Sequence, residues 1–158
     1  MSNFSAQLKK TELFGNLNDQ QLEQIQAIAK SGSISSGNFL IQEDDLGKSM
    51  YLILEGRVDV HMSIPNSEDS EVIATLKDGD VVGELVLVGR SRRSAHVTAK
   101  DDVRALVWTT DELIQLLEEN HEIGYVVMKN LAKLLAARLT STNLALRNVL
   151  TAPKTIML

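Results

Sequence analysis

Two short stretches hold residues of types that do chemistry when brought together: Gly83-Glu84-Leu85 and, ten residues on from the glycine, Arg93-Ser94. Both lie within Asp78–Ala99, which reads DGDVVGELVLVGRSRRSAHVTA. Gly83 permits close approach of the backbone to something small. Consecutive N–H groups of a glycine-containing turn, a guanidinium fork and a hydroxyl together make a site for an anion. Glu84 would repel a phosphate there, so it needs another task, and accepting a hydrogen bond from a sugar hydroxyl suits it. Phosphate donors beside a sugar-directed carboxylate imply a nucleotide. Arg90, Arg92 and Arg93 crowd the second stretch, and strand phase chooses among them. Arg93 is in phase with Ala95, Val97 and Ala99, an apolar set that should face the interior. Arg92 is in phase with His96 and Thr98, which should face solvent. Arg93 is therefore the ligand candidate, with Arg90 and Arg92 solvated.

No other residue pattern asks for catalysis. His61, His96 and His121 are isolated, without metal-ligand spacing, so each reads as a surface or hydrogen-bonded side chain and a metal-dependent cupin enzyme is disfavoured. No serine sits in a nucleophile elbow and no Walker-type loop is present. The absence of Cys removes a thiolate metal site, a disulfide scaffold and a Cys nucleophile in one step. The expectation is a binding protein, not an enzyme, with no catalytic residues, no metal and no cofactor.

The elements that would position these groups follow from glycine placement. Gly37, Gly47, Gly56, Gly79, Gly83 and Gly89 punctuate short apolar runs at Phe39–Gln42, Met50–Leu54, Arg57–Met62, Val72–Leu76 and Val81–Val82. Ala95–Ala99 and Val103–Trp108 continue the series, and the polar Ser63–Ser70 loop with Pro65 reads as a hairpin tip. Short strands spaced this way indicate a sandwich or barrel. Asn18 with Gln21 resembles a capping box opening a helix through Leu22, Ile25, Ile28 and Ala29 as far as Gly32. Thr110, Asp111 and Glu112 start a second helix carrying Leu113, Leu116 and Leu117, and Asn120 caps a third from about His121 to Leu150, before Pro153.

The last helix carries two apolar stripes. Val127, Leu131 and Leu134 form one. Met128, Ala132, Leu135, Leu139, Thr142, Leu146 and Val149 form the other, in the 4-3 alternation of a coiled-coil seam. A small β domain offers too little surface to bury both faces of a helix about 45 Å long. One stripe therefore covers the chain's own sheets, and the other predicts a parallel homodimer through residues 128–149.

A chain of 158 residues, 44% of them apolar, fits one domain with a real core. The start, MSNFSAQLKK, lacks the layout of a signal peptide, and charges interrupt any run of about 20 apolar residues. The expectation is a cytoplasmic location with no membrane contact. Net charge is −5, but unevenly spread. From Ile123 onwards no Asp or Glu occurs, and Lys129, Lys133, Arg138, Arg147 and Lys154 contribute +5, leaving −10 on residues 1–122. Spread out as they are, these cations read as solvated charges near a helix C-terminus rather than a polyanion site.

The pattern Gly83-Glu84-Leu85-x-Leu87, followed by Arg93-Ser94-Ala95-x-Val97, resembles the phosphate-binding cassette of the cyclic-nucleotide-binding domain family. Upstream, Gly37-x-Phe39-Leu40-Ile41-x-Glu43 and the run from Met50 through Gly56 to Val60 resemble that family's opening strands. The resemblance covers roughly residues 10–150. Within the family, Arg93–Lys100 and the helix segment Ala137-Arg138-Leu139 are most similar to the sensor half of the bacterial catabolite-activator branch.

The resemblance implies a mainly β fold with flanking helices: a β-roll, or double-stranded jelly-roll barrel, followed by a long C-terminal dimerisation helix. Residues 1–122 would be the N-terminal helices, the cyclic-nucleotide-binding roll and a short following helix. Residues 123–158 would be the dimerisation helix and tail, with no helix-turn-helix domain. It further implies that amides of Gly83, Glu84 and Leu85 face a cyclic phosphate, that Arg93 pairs with it and that Ser94 donates to it. Glu84 would hold the ribose 2′-hydroxyl, and Thr142 and Asn143 would touch the base where two final helices meet. Thr142 is also the one polar residue of the seam, which brings the two readings together. Four positions depart from the family pattern: Val82 for Phe, Val86 for a smaller residue that would leave a wider pocket, Arg92 for Pro, and Asp44 for Gly.

Three functions fit. A stand-alone sensor would bind a cyclic nucleotide, cAMP in preference to cGMP, and act as a dimer on a downstream protein. The sensor half of a transcription regulator would need a DNA-binding domain that the few residues after Leu150 cannot form, so no direct DNA binding is expected. A ligand-free dimerisation module of the same fold is the third.

Overall fold

A computed structural model describes residues 3–89 and 92–153. Among these residues, eight antiparallel strands form two four-stranded sheets, not closed into a barrel. β1 (Lys30–Ile34), β8 (Val103–Thr109), β3 (Ser49–Glu55) and β6 (Val81–Val82) lie side by side in the first. β2 (Phe39–Ile41), β7 (His96–Ala99), β4 (Val58–Ser63) and β5 (Ser70–Leu76) make the second. Four helices flank them: α1 (Ser5–Lys9), α2 (Asp19–Ala27), α3 (Thr110–Glu119) and α4 (His121–Thr151).

Strand alternation divides the core in two. Ile53, Val82, Val103 and Ala105 from the first sheet meet Ile41, Val58, Val97 and Ala99 from the second. The opposite face of the first sheet, through Met50, Leu52, Leu106 and Trp108, packs on the helices with Leu8, Phe14, Leu22, Ile25, Leu113 and Ile123. The first sheet is thus buried on both sides, which is why β3 and β8 read as nearly continuous apolar runs. The second exposes its outer face, and Val72 and Ile73 of its edge strand β5 are open to solvent. No described helix is long and apolar enough to cross a membrane.

Caps set the helix boundaries. The Asn18 side chain accepts from the Gln21 amide at 2.8 Å, and the Gln21 side chain accepts from the Asn18 amide at 3.0 Å. Thr109, one residue before the expected start, caps α3, while Asn120 accepts from Ile123 N at 3.2 Å to start α4. α4 stops at Thr151 because Ala152, preceding Pro153, is extended. One expectation needs correction: the helix that opens after Asn18 ends at Ala27 rather than running to Gly32, because Lys30–Ile34 pairs with β8. Ser5–Lys9 forms the other N-terminal helix, pinned by its buried Leu8.

On α4 the two stripes separate only in part. Ile123, Val127 and Leu131 are buried against the helical core, and Leu135 of the second stripe packs half-buried on it, whereas Leu139, Leu146 and Val149 are exposed. Gly124 allows α3 and α4 to meet, since a Cβ there would lie 2.4 Å from the Leu117 carbonyl oxygen. Asn130, 6% exposed, donates to the carbonyls of Leu13 at 3.0 Å and Gly15 at 2.7 Å, tying the N-terminal segment to α4.

Candidate functional site

The site begins at Gly83, which joins β6 to a 3-10 turn over Glu84–Val88. Its φ of +81° is left-handed backbone, the conformation that favours glycine. Glu84 and Leu85 open the turn, so their N–H groups have no carbonyl behind them within it. Ten residues on, Arg93 folds back over this glycine. Its Nη2 donates to the Ser49 carbonyl at 2.5 Å and its Nη1 reaches the Gly83 carbonyl at 3.4 Å. A side chain on Gly83 would stand 2.6 Å from Arg93 Nη1 and 3.0 Å from Ser49 O. Gly83→Ala is thus expected to cost about 1–2 kcal/mol in backbone strain and to dislodge Arg93, lowering the unfolding midpoint. An unchanged midpoint would show the turn relaxing freely.

The backbone of Arg93 is held by the turn after β2. Asp44 N donates to Arg93 O at 3.0 Å, and Arg93 N donates to Asp45 O at 2.9 Å. Asp44 sits at φ +67°, left-handed backbone that glycine takes most easily; aspartate is among the few others that tolerate this region. Arg92 is exposed as expected, although its Nη1 donates to the Asp44 carbonyl at 3.0 Å, and Arg90 lies outside the described residues. Ser94 is exposed at the pocket rim.

These groups surround a cavity of about 130 Å³ bordered by Gly83, Glu84, Leu85, Arg93, Ser94 and Arg138. Val86 borders it too, but its bulk is met by Gly47: a Cβ at that glycine would lie 2.6 Å from Val86 Cγ1. Arg93 is half-buried, and burial pulls its pKa below the ordinary arginine value against the raising effects of Tyr51, Glu84 and Asp45. Among the described residues it has no carboxylate at ion-pair distance, and its partners are carbonyls. Of five N–H donors, two are engaged by those carbonyls. The remainder suit an anion.

Glu84 is the counterweight. It is 6% exposed, and its carboxylate pairs with Arg138 of α4, whose Nη2 also donates to the Val81 carbonyl at 3.1 Å. Arg138 was expected to be a solvated cation, and the structure corrects that. The sequence signal is Glu84 itself: a carboxylate buried beside an anion site calls for a cation, and Arg138 is one of several that the chain offers. Thr142 and Asn143 are exposed on α4 and are not among the residues that line this cavity. Thr142 Oγ1 donates to the Arg138 carbonyl at 2.9 Å. His61 and His96 are hydrogen-bonded side chains and His121 is exposed, as expected; in addition, β4 and β7 set His61 opposite His96 with ring centroids 5.1 Å apart.

Comparison with known proteins gives the same assignment. The family model for the cyclic nucleotide-binding domain matches residues 32–120. Cyclic nucleotide-gated channel beta-3 of Canis lupus familiaris is 30% identical over 138 residues, which cover 85% of this chain and 17% of that protein. cGMP-dependent protein kinase 2 of Mus musculus is 29% identical over 134 residues, covering 78% and 17%. The chain thus spans less than a fifth of these relatives' length. A cyclic nucleotide-binding domain from Methylobacillus flagellatus superposes with a TM-score of 0.81 at 27% identity, over 97% of this chain and 85% of that one. Thermus thermophilus catabolite activator protein gives 0.76 at 25% identity, over 88% and 63%. Because the family model takes in more than half of the chain, from within β1 to the end of α3, this protein belongs to the cyclic nucleotide-binding domain family, a regulatory sensor fold.

Proposed function

We propose that the chain is a sensor that binds a cyclic nucleotide, cAMP in preference to cGMP, between the Gly83–Leu85 turn and Arg93. The observation that carries this is Arg93 itself: a half-buried guanidinium on the pocket wall with no carboxylate at ion-pair distance among the described residues. A cyclic phosphate supplies the missing charge and accepts from Arg93, Ser94 and the amides that open the 3-10 turn. Glu84, oriented by Arg138, accepts the ribose 2′-hydroxyl. The same ion pair links the ligand pocket to α4, the element that carries the exposed apolar seam.

In this reading Met128, Ala132, Leu135, Leu139, Leu146 and Val149 meet their counterparts in a second copy, and Thr142 and Asn143 of the seam close on the base. Support comes from the exposure of Leu139 at 61% and Val149 at 73%, a stripe too apolar for a helix surrounded by water. The preference for cAMP rests on Thr142 and Asn143, whose donors and acceptors suit adenine, and on the likeness to the catabolite activator protein. The signal passes to a downstream protein partner as a shift in the population of α4 arrangements. Calorimetry with cAMP and with cGMP, paired with light scattering, tests the proposal. Micromolar or tighter binding of cAMP by a dimer is expected, about −8 kcal/mol. Absence of binding to either nucleotide would leave a ligand-free dimerisation module.

A further inference from the structure

The outer face of the second sheet holds a polar cluster that nucleotide binding does not use. His61 on β4 and His96 on β7 stack at 5.1 Å, flanked by the Phe39 ring of β2 at 6.2 Å and 5.6 Å. Each ring nitrogen has a neighbour. His61 Nδ1 contacts Ser70 Oγ at 2.9 Å and its Nε2 contacts Thr98 Oγ1 at 3.3 Å. His96 Nε2 contacts Ser63 Oγ at 3.1 Å. His96 Nδ1 accepts from the backbone N–H of Glu43 at 3.1 Å. The nitrogens point to different partners and do not converge as metal ligands would.

The bond from Glu43 fixes the chemistry. An imidazole nitrogen that accepts a hydrogen bond must be unprotonated, and an imidazolium has donors only. A proton on His96 therefore sets two donors against each other, Nδ1–H and the Glu43 amide. The charged groups facing the pair are Glu43 after β2 and Asp59 on β4, together with each ring facing the other. Glu43 Oε2 stands 3.7 Å from His96 Nε2 and accepts from Ser63 N at 3.1 Å, while Asp59 already accepts from Thr75 at 2.7 Å. A protonated ring can swing to pair with the Glu43 carboxylate, and the amide loses its acceptor in either case. Desolvation, then the neighbouring His96, hold the His61 pKa below its ordinary 6.5, so His61 rests neutral near neutrality.

Glu43 adjoins the segment that supports the cassette, since Asp44 and Asp45 exchange backbone hydrogen bonds with Arg93. We propose that the His61–His96 pair is a pH-sensitive latch: protonation takes the acceptor from the Glu43 amide and releases the turn that holds the backbone of Arg93. Its effect on affinity rests on the cyclic-nucleotide reading above; the release of the turn does not.

Amide exchange by NMR and calorimetry with cAMP, both at about pH 7.5 and about pH 5.5, test it. A cyclic phosphodiester keeps its charge across that interval, so the ligand does not contribute. In the wild type, protection of the Glu43 and Asp44 amides, corrected for intrinsic exchange, falls about tenfold at the lower pH, and cAMP affinity falls about tenfold with it. His96→Asn places a non-titrating oxygen where Nδ1 lies and removes both changes. Equal protection at the two pH values, protection lost without loss of affinity, or the same acid response in His96→Asn would each overturn the latch. Should that variant fail to fold, His96→Gln likewise replaces the titrating ring with a non-titrating amide, and an acid response kept there also overturns the latch. Absence of cAMP binding at both pH values refutes the nucleotide reading, and the amides alone then decide for or against release of the turn.

Discussion

Arg93→Ala is expected to weaken cAMP binding about 10- to 150-fold, the effect of losing about 1.5–3 kcal/mol from a hydrogen bond to a charged group. The side chain already makes its structural contacts with the carbonyls of Ser49 and Gly83. Truncation therefore removes those anchors along with the donors left for phosphate. The backbone of residue 93 stays in place through Asp44 and Asp45, which confines the damage to the pocket. Arg93→Lys separates charge from geometry, because an ammonium keeps the charge but cannot span both carbonyls and a phosphate oxygen. It should recover part of the affinity. Calorimetry on both variants, with circular dichroism to show an intact fold, checks this. Wild-type affinity in Arg93→Ala would remove Arg93 from the site.

The largest effect on stability is expected at Trp108. It is fully buried on β8, packs 5.3 Å from the Phe14 ring and donates from Nε1 to the Ile25 carbonyl at 2.9 Å. That carbonyl belongs to the last turn of α2, where intrahelical donors run out, so the indole also closes the helix. Trp108→Ala should cost about 3–5 kcal/mol in lost burial and cavity formation. For a domain of this size that is a fall of about 6–20 °C in unfolding midpoint. Trp108→Phe retains most of the packing and forfeits the hydrogen bond, for a smaller loss of about 1–2 kcal/mol. Differential scanning calorimetry reads both. A loss below about 1 kcal/mol in the alanine variant would mean that the helices do not depend on this face of the sheet.

The cassette and most strands were legible because their signals are local. Gly83 and Gly56 mark left-handed positions that only a few residues accept, and the apolar runs between glycines alternate or persist as their burial demands. β1 was not legible, since Lys-Ser-Gly-Ser-Ile carries no strand signature and is held by pairing with β8, some 70 residues away. Distance along the chain hid Arg138 as well. Its role depends on α4 bringing Arg138 to Glu84 at the cavity, 54 residues further along the chain. The histidines were hidden by register, because His61 and His96 meet only when β4 and β7 align with His61 opposite His96. Strand phase did separate the half-buried Arg93 from the exposed Arg92, since Val97 and Ala99 point inward.

The division of α4 has a mechanical consequence. Asn130 and Arg138 are clamped, one to the N-terminal carbonyls and the other to Glu84, while every residue from Leu139 to Thr151 is exposed. Beyond the second clamp the helix is a cantilever about 20 Å long, at 1.5 Å of rise per residue. Rotation about the clamps is magnified in proportion to that reach, so a tilt of about 10° at Arg138 displaces the tip by about 3.5 Å, more than two residues of helical rise. A small rearrangement around Glu84 would thereby move the far end of α4 much more than it moves either sheet.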